Sequence, residues 1–212
     1  PMSVATGEMK IDKGVLWASA GAVTNNWQPA GSKNGLFRFT DNSWKNFNAS
    51  LLPAMDSLPD CITVAIDHRD ATLWAGSYGG GLFSISTNNS ISIYKQTSPL
   101  QAALFSPRNY RVSGLAFDQE NNLWISNYGA EKNLHVRKSD GTWRSFTVPF
   151  PLTENAVSGI MVDDLNQKWI IAPNGQGIIC FNHGLSIENS NDDRWKWFRT
   201  GKGNGNLPDN NV

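Results

Sequence analysis

The apolar and polar positions of residues 112–146 fall into four short strands separated by three turns. Val112-Ser113-Gly114-Leu115-Ala116-Phe117 is a mostly apolar run closed by Asp118. Gln119-Glu120-Asn121-Asn122 is a polar cluster of the kind that ends strands. Leu123-Trp124-Ile125-Ser126 is rich in β-forming residues. Leu134-His135-Val136-Arg137 and Thr142-Trp143-Arg144-Ser145-Phe146 alternate apolar with polar, the period of a half-buried strand. Between these two runs, Asp140-Gly141 predicts a tight hairpin with both central residues at positive φ.

The same order recurs along the chain. An acid sits a few residues before a Trp in Asp12…Leu16-Trp17, Asp67…Leu73-Trp74, Asp118…Leu123-Trp124 and Asp163…Lys168-Trp169. The Trp-to-Trp steps are 57, 50 and 45 residues. A second aromatic follows each: Trp44, Tyr94, Trp143, and Trp195 or Trp197. A period of this length with four strands per unit predicts an all-β fold, a β-propeller of about four four-stranded antiparallel blades. The expected blades are residues 1–50, 58–98, 108–148 and 154–200, within one domain spanning 1–212. The opening strand of the first blade is expected somewhere in Met2 to Asp12. Pro99, Pro107, Pro149 and Pro151 fall in inter-blade connections, where they break no ladder. Leu51 to Leu58 predicts a short helical turn confined by Pro53 and Pro59. Residues 207–212 read as the start of a further repeat, so the chain is expected to be part of a six- to eight-bladed propeller. The open edges of such an arc would be covered by the remaining blades or by dimerisation.

Asp67…Leu73-Trp74-Ala75-Gly76-Ser77…Gly81-Leu82 resembles the two-component regulator propeller repeat of Bacteroidetes proteins. Leu207-Pro208-Asp209-Asn210-Asn211-Val212 is similar to the opening of the next such repeat. A finer resemblance lies in Ser98-Pro99-Leu100, in Arg111-Val112-Ser113-Gly114-Leu115-Ala116-Phe117-Asp118 and in Asn189-Ser190-Asn191-Asp192-Asp193-Arg194. These are similar to the propeller part of PorZ-type proteins, surface-associated components of the type IX secretion system. The resemblance implies a non-catalytic ligand- or protein-binding module of an exported cell-envelope protein, periplasmic or at the cell surface. Its partner would be a glycan, a lipopolysaccharide or a protein. The alternative is a periplasmic carbohydrate-sensing segment of a hybrid two-component histidine kinase.

Composition narrows the choice. Eighteen basic and eighteen acidic residues give no net charge, and no basic stripe points to nucleic acid. Charged residues make up 17% of the chain, against a typical quarter, and the polar surface is Asn, Ser, Thr, Gly and Gln instead. No apolar run approaches the ~20 residues of a membrane helix. Cys61 and Cys180, each among apolar neighbours, read as two buried thiols.

The repeat turns most conspicuous residues into scaffold. Gly79-Gly80-Gly81 lacks the Lys-Ser/Thr of a phosphate loop. With Asn34-Gly35 and Gly175-Gln176-Gly177 it marks the turn from second to third strand. The four repeated acids read as caps on the turn from first to second strand. His68, His135 and His183 show no metal-ligand spacing, and no cofactor is implied. Glu188 to Asp193 is oxygen-rich but lacks the EF-hand Gly and Glu, and reads as a solvated loop. A propeller-type glycoside hydrolase or lyase would need two converging carboxylates ~5–9 Å apart. The candidates Glu120, Glu131 and Asp140 fall on turns.

The aromatics that break the repeat carry the functional expectation. Trp27 lies in an insertion, Ala22 to Lys33, between the second and third strands of the first blade. Tyr78 and Tyr128 follow Gly76-Ser77 and Ser126-Asn127 in the equivalent loops of the next two. These loops share one face of a propeller. Trp27, Tyr78, Asn127 and Tyr128 therefore form a candidate ligand platform, with Arg108, Tyr110 and Arg111 as an anion-attracting rim on the loop joining two blades.

Overall fold

The computed structural model describes residues 7–212. Sixteen strands form four antiparallel units of four. The first unit comprises β1 Met9–Asp12, β2 Val15–Ser19, β3 Leu36–Thr40 and β4 Ser43–Phe47. The second comprises β5 Cys61–Ile66, β6 Leu73–Gly79, β7 Gly81–Ile85 and β8 Ile91–Tyr94. The third comprises β9 Tyr110–Phe117, β10 Leu123–Asn127, β11 Leu134–Arg137 and β12 Trp143–Phe146. The fourth comprises β13 Ile160–Val162, β14 Lys168–Ala172, β15 Gly177–Asn182 and β16 Arg194–Phe198. The opening strand expected within Met2 to Asp12 is β1, and the earlier part of that range lies outside the described residues. Pro53–Ser57 forms a single 3-10 turn in the predicted place.

First strands touch in succession: β1 meets β5, β5 meets β9, and β9 meets β13. The units are therefore arranged about a common inner line, each facing the next. Three hydrophobic seams result. Trp17, Leu36 and Phe47 pack on Val64, Ile66, Leu73 and Phe83. Ala65, Trp74 and Leu82 pack on Leu115, Leu123 and Ile125. Trp124, Leu134 and Phe146 pack on Ile160, Ile170, Ile179 and Phe181. Trp17, Trp74 and Trp124 are 9%, 6% and 0% exposed. Each such indole removes on the order of 200 Å² from water, worth roughly 5 kcal/mol at most. Trp169 occupies the same position in the fourth unit but is only half-buried, because no further unit packs on its sheet face among the described residues.

Three of the four repeated acids, Asp67, Asp118 and Asp163, cap their turns by accepting backbone N–H groups, and two of these do more; Asp12 has no such bond among the described residues. Asp118 Oδ1 accepts the backbone N–H groups of Glu120 (3.1 Å) and Asn122 (2.8 Å), and its Oδ2 accepts the Trp124 indole N–H at 2.8 Å. Asp163 repeats the arrangement with Leu165, Gln167 and the Trp169 indole. Turn and seam are thus tied by one side chain. Asp67 and Asp12 have different partners, Arg69 at 2.8 Å and His68 at 2.8 Å. Acid and Trp stand six residues apart in the third and fourth units, seven in the second and five in the first. Only the six-residue spacing carries the indole bond.

The glycines that open third strands serve two needs. Gly35, Gly81 and Gly177 have φ of 73°, 86° and 85°. A Cβ there would stand 2.1, 2.5 and 2.2 Å from the carbonyl oxygens of Phe47, Tyr94 and Phe198 on the fourth strands. The third unit places Asn133 at this step, and its amide oxygen accepts Val148 N–H at 2.9 Å.

One turn differs from expectation. Only Gly141 of Asp140-Gly141 has positive φ, and the loop closes through Gly141 N–H to Lys138 O and Lys138 N–H to Thr142 O. This is a type I turn followed by a glycine bulge, a three-residue loop. The Asp140 carboxylate takes the Thr142 N–H and hydroxyl across this loop. The two-residue turn with both centres positive occurs instead at Asp41-Asn42, φ 48° and 55°.

Candidate functional site

The insertion of the first unit crosses the second to reach the third. Trp27, held at φ 53° by a turn in which Trp27 N–H donates to Thr24 O, lies on Tyr128 with ring centres 5.7 Å apart and planes within 11°. Tyr78 closes the triangle at 6.3 Å from Trp27 and 5.4 Å from Tyr128. The Tyr78 hydroxyl donates to Trp27 O at 2.9 Å and fixes the insertion in place. Beneath the rings lies the Arg111 guanidinium, its carbon 5.1 Å from the Tyr78 ring centre and 5.7 Å from that of Tyr128. The sheet puts it there: β6 and β9 pair through Tyr78 with Arg111 and Gly79 with Tyr110, joining the second and third units in one sheet. That pairing was not foreseen from the sequence.

Four of the seven candidate residues therefore meet: Trp27, Tyr78, Tyr128 and Arg111. Asn127 lies fully buried beside them, and its side-chain oxygen accepts Gln101 N–H at 2.9 Å, holding the inter-unit connection. Tyr110 begins β9 and packs against the seam of the second and third units. Arg108 is exposed in the preceding loop. Tyr110 and Arg111 are thus strand residues, whereas the sequence placed them in a connection.

Burial changes the character of the platform. Tyr78 and Tyr128 are 0% and 1% exposed, so their faces serve one another, and Trp27 keeps the accessible edge. Burial pushes both phenol pKa values upward; Glu154 adds to this at Tyr128, whose hydroxyl donates to its carboxylate at 3.1 Å. Both tyrosines stay neutral hydrogen-bonding phenols near neutral pH.

Beside the cluster lies a small cavity of about 70 Å³, lined chiefly by Gln28, Phe105, Ser106, Arg111, Tyr128 and Glu154. Gln28 Oε1 accepts from Arg111 Nη2 at 3.3 Å. Phe105 is 83% exposed and Leu104 55%, a bare apolar tip on this face. Gln28, Phe105, Ser106 and Glu154 went unnoticed in the sequence. A signal existed for Phe105: Leu104-Phe105 lies between Pro99 and Pro107, with no alternating partner run. Glu154, at φ 57°, gave none.

The cysteines and His135 lie outside this cluster. Cys61 and Cys180 are free and buried, and burial, aided by Asp60, pushes the Cys61 thiol up to about 12. His135 is buried against Ser145 Oγ at 2.8 Å, and burial pushes it down to about 4. Among the described residues no group of three or more His, Cys, Asp or Glu side chains gathers. Glu188 pairs with Lys138 at 2.7 Å and Arg144 at 3.6 Å, and Asp192 accepts Leu185 N–H. No helix among the described residues is long and apolar enough to cross a membrane.

No family model and no curated protein matches the chain. Solved structures do. PorZ of Porphyromonas gingivalis, an essential surface component of the type-IX secretion system, matches with a TM-score of 0.75 and 24% identity over 90% of this chain. The chain folds as a β-propeller. The extracellular domain of a hybrid two-component system from B. thetaiotaomicron matches with a TM-score of 0.57 and 20% identity, again over 90%. Virginiamycin B lyase from Staphylococcus aureus matches with a TM-score of 0.64 at 14% identity over 94%. The chain spans 27% of the PorZ chain, 28% of the two-component domain and 57% of the lyase. At these identities the likeness is one of fold.

Proposed function

We propose that this chain is a non-catalytic binding module of an exported cell-envelope protein, periplasmic or at the cell surface, that engages a glycan or protein partner through its loop face. The observation that carries the reading is the convergence of Trp27, Tyr78, Tyr128 and Arg111 from three units beside an open cavity. Exposed Phe105 and half-exposed Trp27 flank that cavity with apolar surface. Likeness to a secretion component supports the reading. Likeness to the extracellular domain of a two-component protein favours a second one, a carbohydrate-sensing segment that uses the same face. The lyase likeness keeps catalysis as the competing class; two of the carboxylates are engaged, Asp140 in capping its own hairpin and Glu154 in holding Tyr128.

The end face of the fourth unit around Met161 and Trp169 borders a hollow of about 480 Å³ that Ile62, Thr63 and Ser113, from the first strands of the second and third units, also line. In this reading it is covered by further blades of a six- to eight-bladed ring, or by a second copy.

The test is a glycan and lipopolysaccharide array probed with the chain and with Trp27→Ala and Phe105→Ala. Binding that falls at least tenfold in either variant is expected. Binding indifferent to both substitutions, or turnover of an arrayed glycan, overturns the proposal.

A further inference from the structure

Arg111 is the least satisfied charge on the loop face. It is only 7% exposed. Its Nε is buried with no hydrogen-bond partner among the described residues. Its side-chain hydrogen-bond partners are neutral: the Gln28 amide, reached from Nη2 at 3.3 Å, and the Tyr78 hydroxyl. No ion pair joins it to a carboxylate among the described residues. Glu154, which lines the same cavity, accepts the Tyr128 hydroxyl instead. A guanidinium withdrawn from water and left without an anion is costly, since buried charges are as a rule paired. The ring faces of Tyr78 and Tyr128 compensate only in part.

From this we infer that the cavity beside Arg111 binds a single carboxylate group of a small organic acid, which supplies the missing counter-charge. The inference rests on the loop-face reading and names its ligand chemistry. Size selects a group rather than a molecule: about 70 Å³ is far below the ~300 Å³ at which pockets enclose whole ligands. The guanidinium fork matches the two oxygens of a carboxylate, and Ser106 and Gln28 stand at the wall as further hydrogen-bonding partners. Charge separates a monoanion from a dianion: Glu154 at the wall repels negative charge, and repels a dianionic phosphate more strongly than a carboxylate. The rest of the acid projects outward, where Phe105 and the Trp27 edge offer apolar surface to a sugar ring.

The test follows the Arg111 Nε–H, Trp27 indole N–H and Tyr128 amide signals by NMR of the full chain. Four probes are titrated: acetate, glucuronate, the methyl ester of glucuronate, and glucose 6-phosphate. Acetate and glucuronate are expected to shift the Arg111 signal saturably. Glucuronate binds more tightly if its ring meets Trp27. The ester should leave Arg111 unmoved, and the phosphate should bind at least tenfold more weakly than glucuronate. Glu154→Gln should recover phosphate binding. Arg111→Lys should weaken glucuronate at least tenfold without changing the thermal midpoint. Because wild-type shifts decide the matter alone, a variant that misfolds does not rescue the idea. An ester that binds as well as the acid overturns the carboxylate assignment, as does an Arg111 signal unmoved by either acid. If neutral oligosaccharides shift Trp27 while acids do nothing more, the loop-face reading stands and the carboxylate assignment falls. If no probe, neutral or charged, moves either signal, both fall.

Discussion

Two cations are buried among the described residues, and they are buried differently. Lys168, 0% exposed, lies in the seam between the third and fourth units. Its ammonium donates to Asn166 O at 2.7 Å, to Asn166 Oδ1 at 3.2 Å and to His183 Nδ1 at 2.7 Å, and stands 4.5 Å from the centre of the Trp124 ring. All three ammonium protons have acceptors. Arg111, at the loop face, has five donors and only neutral side-chain acceptors, the Gln28 amide and the Tyr78 hydroxyl, and its Nε has no partner among the described residues. The first cation is a finished part of the scaffold. The second is unfinished, and that difference marks a site more sharply than residue type does.

The largest effect tests whether the Lys168 seam is scaffold. Trp124 is the floor beneath the ammonium and the hydrogen-bond partner of Asp118. Trp124→Ala should destabilise the chain by about 3–5 kcal/mol in urea unfolding. Trp169→Ala, at the same repeat position and bonded to Asp163 in the same way, should cost less than half as much, because Trp169 is only half-buried among the described residues and leaves a smaller void. Equal losses would mean that the seam adds nothing to a Trp, and the contrast between finished and unfinished positions would fail.

A finer test uses protons. Burial pushes the Lys168 ammonium down to about 8, with Asp118, Glu120 and Asp163 opposing the shift. Between pH 8 and 10.5 the unfolded chain holds a proton that the folded chain has released. Stability should therefore rise with pH across that window, by at most about 1.4 kcal/mol per pH unit. Below pH 8 this contribution is constant. Burial and the Lys168 charge lower the His183 pKa, while Asp118 and Asp192 oppose that shift. Stability is therefore lost as pH falls below 6.5, where the unfolded imidazole protonates first. Lys168→Leu installs the residue that Leu16, Leu73 and Leu123 occupy in the other units. It should abolish the alkaline slope and shrink the acid one, as read from unfolding midpoints at pH 5.5, 7, 9 and 10. An alkaline slope that persists in the variant would assign it to another group.

The two sites were unequally legible in the sequence. The repeat was plain because acid, turn and Trp are local in sequence, and their register carries the seams at Trp17, Trp74 and Trp124. It even gathered Trp27, Tyr78 and Tyr128, since equivalent loops of a radial stack share a face. What it hid is what depends on contact between units. The pairing of β6 with β9 moves Arg111 from a presumed rim to a buried strand position under two rings. The burial of Tyr78 and Tyr128 arises because they stack on each other, which no alternation reveals. The polar seam of Lys168 and His183 was also missed, although a Lys standing where three units have Leu was a visible signal.

The smallest effect is the most discriminating. Arg111→Met keeps an unbranched apolar side chain between Tyr78 and Tyr128 and removes a charge that no carboxylate balances. Replacing a poorly matched buried charge with a group of similar volume is near neutral, and methionine adapts to irregular gaps. Stability measured by urea unfolding should change by no more than about 1 kcal/mol, in either direction. Lys168→Met, by contrast, strands the Asn166 and His183 acceptors in a closed seam and should cost about 1–3 kcal/mol. If Arg111→Met proves the more damaging, the guanidinium is holding the three loops together. The free donor at Nε would then be a tolerated defect of a strut, and the cavity beside it would have no claim on an anion.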